Sequence, residues 1–359
     1  MPKVSVILAI YNVEDYLKRC LDSICNQTLK DIEIICVNDC STDNSLEILK
    51  EYSNKDERIK IIDLEVNSGA AVARNKGLEI AKGEYLGFID PDDEIDLNYY
   101  EELYKKAKED DYDIVKCKRK NIDVDGRVYY HPINSLIANK GKYFFNYEWT
   151  TAIYKSSIIF DNNIKFPQEC RKAQDIVFLT KVVFKSETLA LIDNVEYIYH
   201  QRENSLNSKK IPIESLKSAL KASSLLLDIY NNSDLCSKNK KLYFELYLYQ
   251  LNAMLNNTLF QNDSFEAKEL CAKWLIDEFF NCKDIKTLNK QFKFIHFIKL
   301  IKNKKIKELA TKLAGYSDNE ELSKAREKWY QKFFSIKNQG DSKIIKILGQ
   351  DIKIKRHKK

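Results

Sequence analysis

Short apolar runs alternate with helix-like segments through the first 120 residues, and this alternation constrains the fold more than any other feature. The runs are rich in β-branched residues, and the segments between them repeat apolar side chains at helical spacing. Strands that alternate with helices of this length indicate βαβ units, a mostly parallel sheet and helices on both of its faces. The predicted strands are 4–10, 32–38, 59–63, 84–90 and 112–118, and the predicted helices are 14–27, 44–54, 70–81 and 97–109.

Polar and acidic side chains stand where four of these predicted strands end. In open α/β sheets, ligands bind beyond the carboxyl ends of the parallel strands. The sequence therefore predicts a binding site at one edge of the sheet, with residues drawn from several loops. The residues concerned are Tyr11, Asn12, Asn38, Asp39, Asp63, Asp90 and Asp92.

The distribution of charge divides the chain into two parts. Residues 1–210 carry 36 acidic and 30 basic side chains, whereas residues 211–359 carry 17 acidic and 29 basic ones. No proline follows Pro212, and no glycine lies between Gly141 and Gly315, so the second part is predicted to be mainly helical. We therefore expect a domain boundary near residue 210, with an α/β domain over 1–210 and a basic, mainly helical domain over 211–359.

Several classes of protein are disfavoured by the composition. No uncharged stretch approaches the roughly 20 apolar residues that cross a bilayer, and residues 1–17 lack the pattern of a cleaved leader. The nine cysteines include no C-x-x-C pair, which argues against a disulfide framework and against a zinc site. Reduced thiols and a cytoplasmic location are the expectation.

The acidic stretch "FIDPDDE" follows the fourth predicted strand. Asp90 and Asp92, one residue apart at a strand end, can turn toward one cavity, and Mg²⁺ typically takes one or two carboxylates together with substrate phosphates. Acidic residues are also favoured where a helix begins, which is sufficient to explain Glu94 and Asp96. The residues by themselves leave both interpretations open.

Three further residues at the same edge suit a nucleotide. Asp39 can accept a hydrogen bond from a nucleobase N–H, and Tyr11 offers a flat face for stacking. Arg74 lies in a helix entered through Ser68 and Gly69, where amide groups and a guanidinium can meet anionic oxygen. A solvated surface charge is the alternative for Arg74.

Three segments in a fixed order together resemble a family 2 glycosyltransferase with the GT-A fold. They are "VSVILAIYNVEDYLKRCLDSICNQTLKDIEIICVNDCSTDNS", "NSGAAVARNKGLEIAKGEYLGFIDPDD" and "FPQECRKAQDIVFL", and the resemblance covers about residues 3–205. It implies a Rossmann-like sheet that binds a nucleotide-sugar donor, usually a UDP-sugar, along the carboxyl edge of the first strands.

The resemblance implies a role for each matching residue of the donor site. Asp90 and Asp92 match a D-x-D element that holds Mn²⁺ or Mg²⁺, with Asp92 the more direct ligand. Asp93 orients the loop or reaches the donor sugar. Ala9 stands where many members have proline. The implied donor contacts are Ala9, Tyr11, Glu14, Asp39, Arg74, Asp90, Asp92, Asp93 and Arg202.

The resemblance also implies an acceptor site. Asp175 matches the general base of inverting members, although an N-cap is the alternative interpretation. Gln174 replaces an acid and is expected to bind or orient the acceptor. Trp149 is expected to line the acceptor pocket or to pack in the core. His200 is either a third metal ligand or a polar loop residue.

The basic second part offers a surface for a partner. "FKFIHFIKLIKNKK" (292–305) places apolar residues on one helical face, and "IKIKRHKK" ends the chain. Such composition suits the inner face of an anionic membrane, where a lipid-linked acceptor is present, or packing and self-association of a helical domain. Nucleic acid is a poorer partner because the first part is acidic.

The sequence thus predicts a metal-dependent inverting glycosyltransferase that moves a hexosyl or N-acetylhexosaminyl group. The donor is a nucleotide-sugar, and the acceptor is a glycan or lipid-linked molecule in surface polysaccharide or glycoconjugate synthesis. The alternative hypothesis is a sugar-nucleotide-binding scaffold that has lost its chemistry and acts through the basic domain. Gln174 is the residue that favours this alternative, whereas Asp90, Asp92 and Asp175 argue against it.

Overall fold

The predicted alternation of strands and helices is present in the computed structural model. The structure describes residues 1–131, 148–202, 213–232, 265–277, 334–339, 342–347 and 350–355. Its first elements are β1 (Val4–Ile10), α1 (Glu14–Cys25), β2 (Ile32–Asn38), α2 (Ser45–Ser53), β3 (Ile59–Asp63), α3 (Ala70–Ile80), β4 (Tyr85–Phe88), β5 (Glu94–Ile95) and α4 (Tyr99–Glu109).

The second half of the sheet contains longer and less regular connections. Its elements are β6 (Ile114–Ile122), β7 (Val128–His131), a 3-10 turn (Trp149–Thr151), β8 (Ala152–Lys155), α5 (Ser156–Asp161), α6 (Gln174–Lys185) and β9 (Leu189–His200). The helix α7 (Ile213–Asn231) follows.

All nine of these strands belong to one sheet, in the order β3-β2-β1-β4-β8-β6-β9-β5, with β7 paired to β6. The first four strands in this order are parallel, and β6 is parallel to β9. Strands β5, β7 and β8 pair antiparallel with their neighbours. The prediction of an α/β fold with a mostly parallel sheet is confirmed, and its irregular half corresponds to the less regular sequence after residue 120.

Helices cover both faces of the sheet because β1 and β2 are apolar on both sides. Val4, Val6, Leu8 and Ile10 face a core built with α1 and α4. Helix α3 lies on the other face, so close that a Cβ added at Gly77 would meet a methyl group of Ile7. The carboxyl ends of β1, β2 and β4 consequently open at one edge, between helices.

The chain divides into two compact units, Met1–Gln261 and Asn262–Lys359. The boundary expected near residue 210 lies within the first unit, which also contains α7. In the second unit the structure describes helix α8 (Phe265–Asp277) and three antiparallel strands, β10 (Phe334–Gln339), β11 (Ser342–Ile347) and β12 (Gln350–Lys355).

The three C-terminal strands lie within the part 211–359 that the sequence predicts to be mainly helical. Isoleucine alternates with lysine over 352–355, and a period of two favours a strand, whereas "SKIIKI" contains two adjacent isoleucines. The register places Ile345 opposite both Ile336 and Ile352. The basic segment 292–305 and residues 356–359 lie outside the described residues, and none of the helices that the structure describes is long and apolar enough to cross a membrane.

Candidate active site

The acidic loop 90–96 lies at the carboxyl end of β4. Its carboxylates contact side chains of α1, of α3 and of the segment that contains β9. Asp93 is buried (1% exposed) and accepts hydrogen bonds from the Tyr197 hydroxyl (2.7 Å) and the backbone N–H of His200 (3.1 Å). The same Tyr197 oxygen accepts the backbone N–H of Asp90 (3.2 Å). Burial, with the charges of Asp92 and Asp90, raises the pKa of Asp93 well above its usual value. Asp93 therefore fixes the loop to β9.

Asp90 pairs with Arg74 of α3. Arg74 Nη2 lies 2.9 Å from Asp90 Oδ1. The Arg74 guanidinium also lies over the rings of Trp149 (4.5 Å to the centroid) and Phe166 (5.5 Å). Aromatic faces attract a guanidinium, so these two rings set the height and orientation of the cation at the sheet edge.

Trp149 is buried rather than exposed to a pocket. It is 5% exposed and packs against Phe88 and Phe166. Its turn is held by fully buried Lys116, whose Nζ donates to the carbonyl of Glu148 (2.5 Å), and burial lowers the pKa of Lys116 to about 8. The expectation of a direct acceptor contact gives way to a supporting role, because the ring is enclosed beneath Arg74.

Asp92 pairs with Arg202, which follows β9. The two side chains form an ion pair through Asp92 Oδ2, and the Arg202 guanidinium stands over the ring of Tyr16 (4.9 Å). Arg19 donates to the backbone carbonyl of Asp92 (2.7 Å). Burial and the Asp90 carboxylate raise the pKa of Asp92, while the Arg202 cation opposes this rise.

His200 contacts Glu94 instead of the D-x-D carboxylates. Its Nε2 lies 2.5 Å from Glu94 Oε1, and Arg19 Nε lies 3.0 Å from the same oxygen. Burial and the Arg19 cation lower the pKa of His200. Strand β5 pairs with β9 beside His200, which brings the imidazole to Glu94. The described contact of the His200 imidazole is with Glu94, and its role as a third metal ligand stays a prediction.

The donor set at Asp90 and Asp92 is compatible with a hard divalent cation. No cluster of three or more acidic, histidine or cysteine side chains that could hold a metal occurs among the residues described. Two carboxylates are nevertheless the usual protein share of a Mg²⁺ site completed by substrate phosphates. The buried Asp92 carboxylate, whose described cationic partner is Arg202, suits that role.

Asp175 lies in the first turn of α6. This helix begins directly after Ala173, whose backbone is in the left-handed region (φ 60°). Burial raises the pKa of Asp175, the Arg74 cation lowers it, and the Asp90 carboxylate raises it. The charges of Arg74 and Asp90 therefore both act on Asp175, whose role as general base stays a prediction. Gln174 beside it is 7% exposed, and its Oε1 finds no hydrogen-bond donor within the described chain.

The predicted nucleotide residues line the ends of β1 and β2. Tyr11 is 46% exposed, directly after β1, and Ala9 is half-buried within that strand. Glu14 begins α1 and accepts the backbone N–H of Asn44 (2.9 Å), which ties α1 to the start of α2. Asp39 is buried, and its two oxygens accept the N–H groups of Ser68 (2.7 Å) and Gly69 (2.8 Å).

Comparison with known proteins identifies the family. The family model "Glycosyl transferase family 2" matches residues 5–164. The Bacillus subtilis glycosyltransferase EpsJ is 32% identical over 275 residues, which cover 72% of this chain and 78% of EpsJ. This chain belongs to the family 2 glycosyltransferases.

Other relatives agree with this assignment. A cholesterol galactosyltransferase of Borreliella burgdorferi is 32% identical over 267 residues, covering 69% of this glycosyltransferase and 74% of that protein. Residues 1–349 of Staphylococcus aureus TarS, crystallised with UDP-GlcNAc, superpose with a TM-score of 0.74 at 22% identity, covering 99% of each chain. At that identity the superposition establishes the shared GT-A fold.

Four residues of this glycosyltransferase site were not among the sequence predictions: Tyr16, Arg19, Phe166 and Tyr197. Tyr16 lies in segment 14–27, which the sequence predicts only as a helix. Tyr197 lies in a strand pattern that does not show which acid it contacts, 104 residues away. Composition and spacing contain no signal for such long-range pairs.

The geometry of Asp39 leads to a testable prediction. Asp39→Asn replaces one acceptor oxygen with an NH₂ group that faces a backbone N–H, so one buried hydrogen bond is lost. We expect the free energy of unfolding to fall by about 1–3 kcal/mol, measured by urea denaturation. Asp63→Asn is the matched control at the end of β3, because exposed Asp63 accepts one hydrogen bond, from Asn38. Equal losses in the two variants would contradict the structural role of Asp39.

Proposed function

We propose that this glycosyltransferase transfers a sugar from a UDP-sugar to a hydroxyl of a glycan or lipid-linked acceptor, with inversion, in surface polysaccharide synthesis. The observation that carries the proposal is the placement of Asp175 beside the Arg74–Asp90 pair, at the edge where the strands end. A base and an anion-binding group thus stand together.

The nature of the donor is supported by the solved relatives and by the site. TarS has been crystallised with UDP and with UDP-GlcNAc. In this chain the exposed ring of Tyr11 stands at the end of β1, and the backbone between Ser68 and Gly69 is fixed by Asp39. We place the uracil and ribose near these residues and the diphosphate between Arg74 and Arg202.

The acceptor class is supported by the relatives' activities. They include a poly(ribitol-phosphate) β-glucosyltransferase of Bacillus spizizenii, which is 34% identical over 240 residues. The matched part is 37% of the length of that protein. TarS is itself a poly(ribitol-phosphate) β-N-acetylglucosaminyltransferase. We propose a polymeric or lipid-linked acceptor of this kind, reached at the cytoplasmic face of a membrane, and a hexosyl or N-acetylhexosaminyl donor.

Charge at the leaving group is balanced by this chain's own residues. Arg74 and Arg202 bring two guanidinium groups to the carboxylates of Asp90 and Asp92, and a guanidinium can donate two parallel hydrogen bonds to a phosphate. Mn²⁺ or Mg²⁺, held by Asp90 and Asp92, would supply further neutralisation of the departing diphosphate when bound.

Asp175 acts as the general base. Its carboxylate takes the proton of the acceptor hydroxyl while that oxygen forms a bond to the anomeric carbon. The bond between the anomeric carbon and the phosphate oxygen breaks, and its electron pair leaves with UDP. A single displacement from the opposite face inverts the anomeric centre. Burial raises the pKa of Asp175, which makes the carboxylate a stronger base, and Arg74 favours its ionised form.

The central experiment measures transfer from a panel of nucleotide-sugars with Mn²⁺, using wild type and Asp175→Asn. Removal of a general base typically lowers the rate by about 10²–10⁴-fold, so Asp175→Asn should lose transfer to that extent while binding UDP as wild type does. Asp161→Asn is the matched control, because Asp161 ends α5 and is exposed. Normal turnover by the Asp175→Asn variant would refute the assignment of Asp175 as the general base. Nucleotide-sugar binding without transfer by wild type would favour the scaffold hypothesis.

The electrostatic pairing predicts how the pH profile responds to Arg74. The rate of transfer falls at low pH as Asp175 becomes protonated. Arg74→Gln removes the cation that lowers the pKa of Asp175, so the acidic limb of kcat should move to higher pH. Arg74→Lys keeps the positive charge and should leave the limb near its wild-type position, whatever its effect on rate. Superimposable limbs for wild type and Arg74→Gln would contradict the pairing.

A further inference from the structure

The ring of Tyr16 in α1 is close to two guanidinium groups. The carbon centre of the Arg202 guanidinium is 4.9 Å from the centroid of its ring, and that of Arg19 is 6.0 Å away. Tyr16 is partly buried and packs against the core below, which fixes the ring. Neither the sequence patterns nor the proposed mechanism assigns this side chain a role.

The two arginines differ in how firmly they are held. Arg19 has two described partners in the acidic loop, because it donates to the carbonyl of Asp92 (2.7 Å) and pairs with Glu94 (3.0 Å). Arg202 has one anionic partner among the residues described, the Asp92 carboxylate. Arg202 can therefore change partner without breaking any other described ion pair.

The partner of Arg202 is the carboxylate that the proposed function requires. Asp92 is to serve a cation and a diphosphate, yet Arg202 is paired with its carboxylate. A diphosphate carries more negative charge than one carboxylate and accepts bidentate hydrogen bonds, so it competes strongly for the guanidinium. Stacking on an aromatic face depends on the ring and the cation rather than on which anion is paired. The Tyr16 ring can support Arg202 in both states.

We propose that Tyr16 is a positioning residue whose ring supports the Arg202 guanidinium both when it pairs with Asp92 and when it binds the diphosphate of the nucleotide. The inference rests on the proposed function. It adds that the Tyr16 ring supports one of the diphosphate-binding cations, Arg202. It also adds that Arg202 changes partner from Asp92 to the diphosphate as the donor binds, which releases the Asp92 carboxylate.

The test measures the affinity for UDP in the presence of Mn²⁺ by isothermal titration calorimetry. Tyr16→Phe keeps the ring and should bind UDP within about 2-fold of wild type, whereas Tyr16→Leu should bind about 5- to 20-fold more weakly. Tyr104→Leu is the matched control. Its ring also carries a cation, Lys3 at 5.3 Å, but it stands at the amino ends of β1 and β4, so UDP affinity should not change.

A double-mutant cycle separates positioning from a general structural effect. Arg202→Met should weaken UDP binding at least as much as Tyr16→Leu. Adding Tyr16→Leu to Arg202→Met should then cause little further loss, because the two residues act as one unit. Full additivity of the two losses would overturn the inference. If Tyr16→Leu fails to fold, as judged by circular dichroism, Tyr16→Met keeps the bulk of the side chain without the aromatic face and replaces it in the cycle.

Titration with Mn²⁺ alone gives a second readout. Arg202→Met removes the cation that competes for Asp92, so Mn²⁺ should bind more tightly to this variant than to wild type while UDP binds more weakly. Weaker binding of both ligands would overturn the exchange of partners. Equal UDP affinity of Tyr16→Leu and wild type would refute the inference alone, whereas an absence of UDP binding by wild type would overturn the proposed function with it.

Discussion

The balance of charge in loop 90–96 is the constraint on which the site depends. Carboxylates crowded into seven residues repel one another, and at a partly buried sheet edge water screens that repulsion poorly. Three of the acids each form an ion pair with an arginine, and each arginine comes from a different part of the chain. These ion pairs are Arg74 with Asp90 from α3, Arg202 with Asp92 from beyond β9, and Arg19 with Glu94 from α1.

The same cations serve both stability and the proposed chemistry. Arg74 rests on Trp149 and Arg202 on Tyr16, so each guanidinium is oriented by a ring that has no charge of its own. A diphosphate needs positive groups held in place before it arrives, since ordering them afterwards would reduce affinity. The acidic loop thus collects the cations that the leaving group requires, and one of them, Arg74, lowers the pKa of Asp175.

The sequence predicted the parts of the structure that depend on local patterns. Alternating strands and helices fixed the sheet edge, and the ordered motifs led to Arg74 and Asp175. Contacts between distant segments could not be predicted from local patterns. Asp93 and Tyr197 are 104 residues apart, and His200 reaches Glu94 only because β5 pairs with β9. The C-terminal strands differ, because residues 352–355 alternate isoleucine with lysine, a strand-like period within a segment whose basic charge suggests a membrane or interaction surface.

The distance between Asp92 Oδ2 and the Arg202 guanidinium tests the central claim most directly. It should be measured in crystals of the full chain grown without ligand and with UDP and Mn²⁺. We expect an ion pair in the ligand-free crystals. With nucleotide bound, we expect separation beyond about 4 Å, the usual limit of such a pair, and a guanidinium contact to the diphosphate. An intact Asp92–Arg202 pair beside bound UDP would contradict this interpretation of the site.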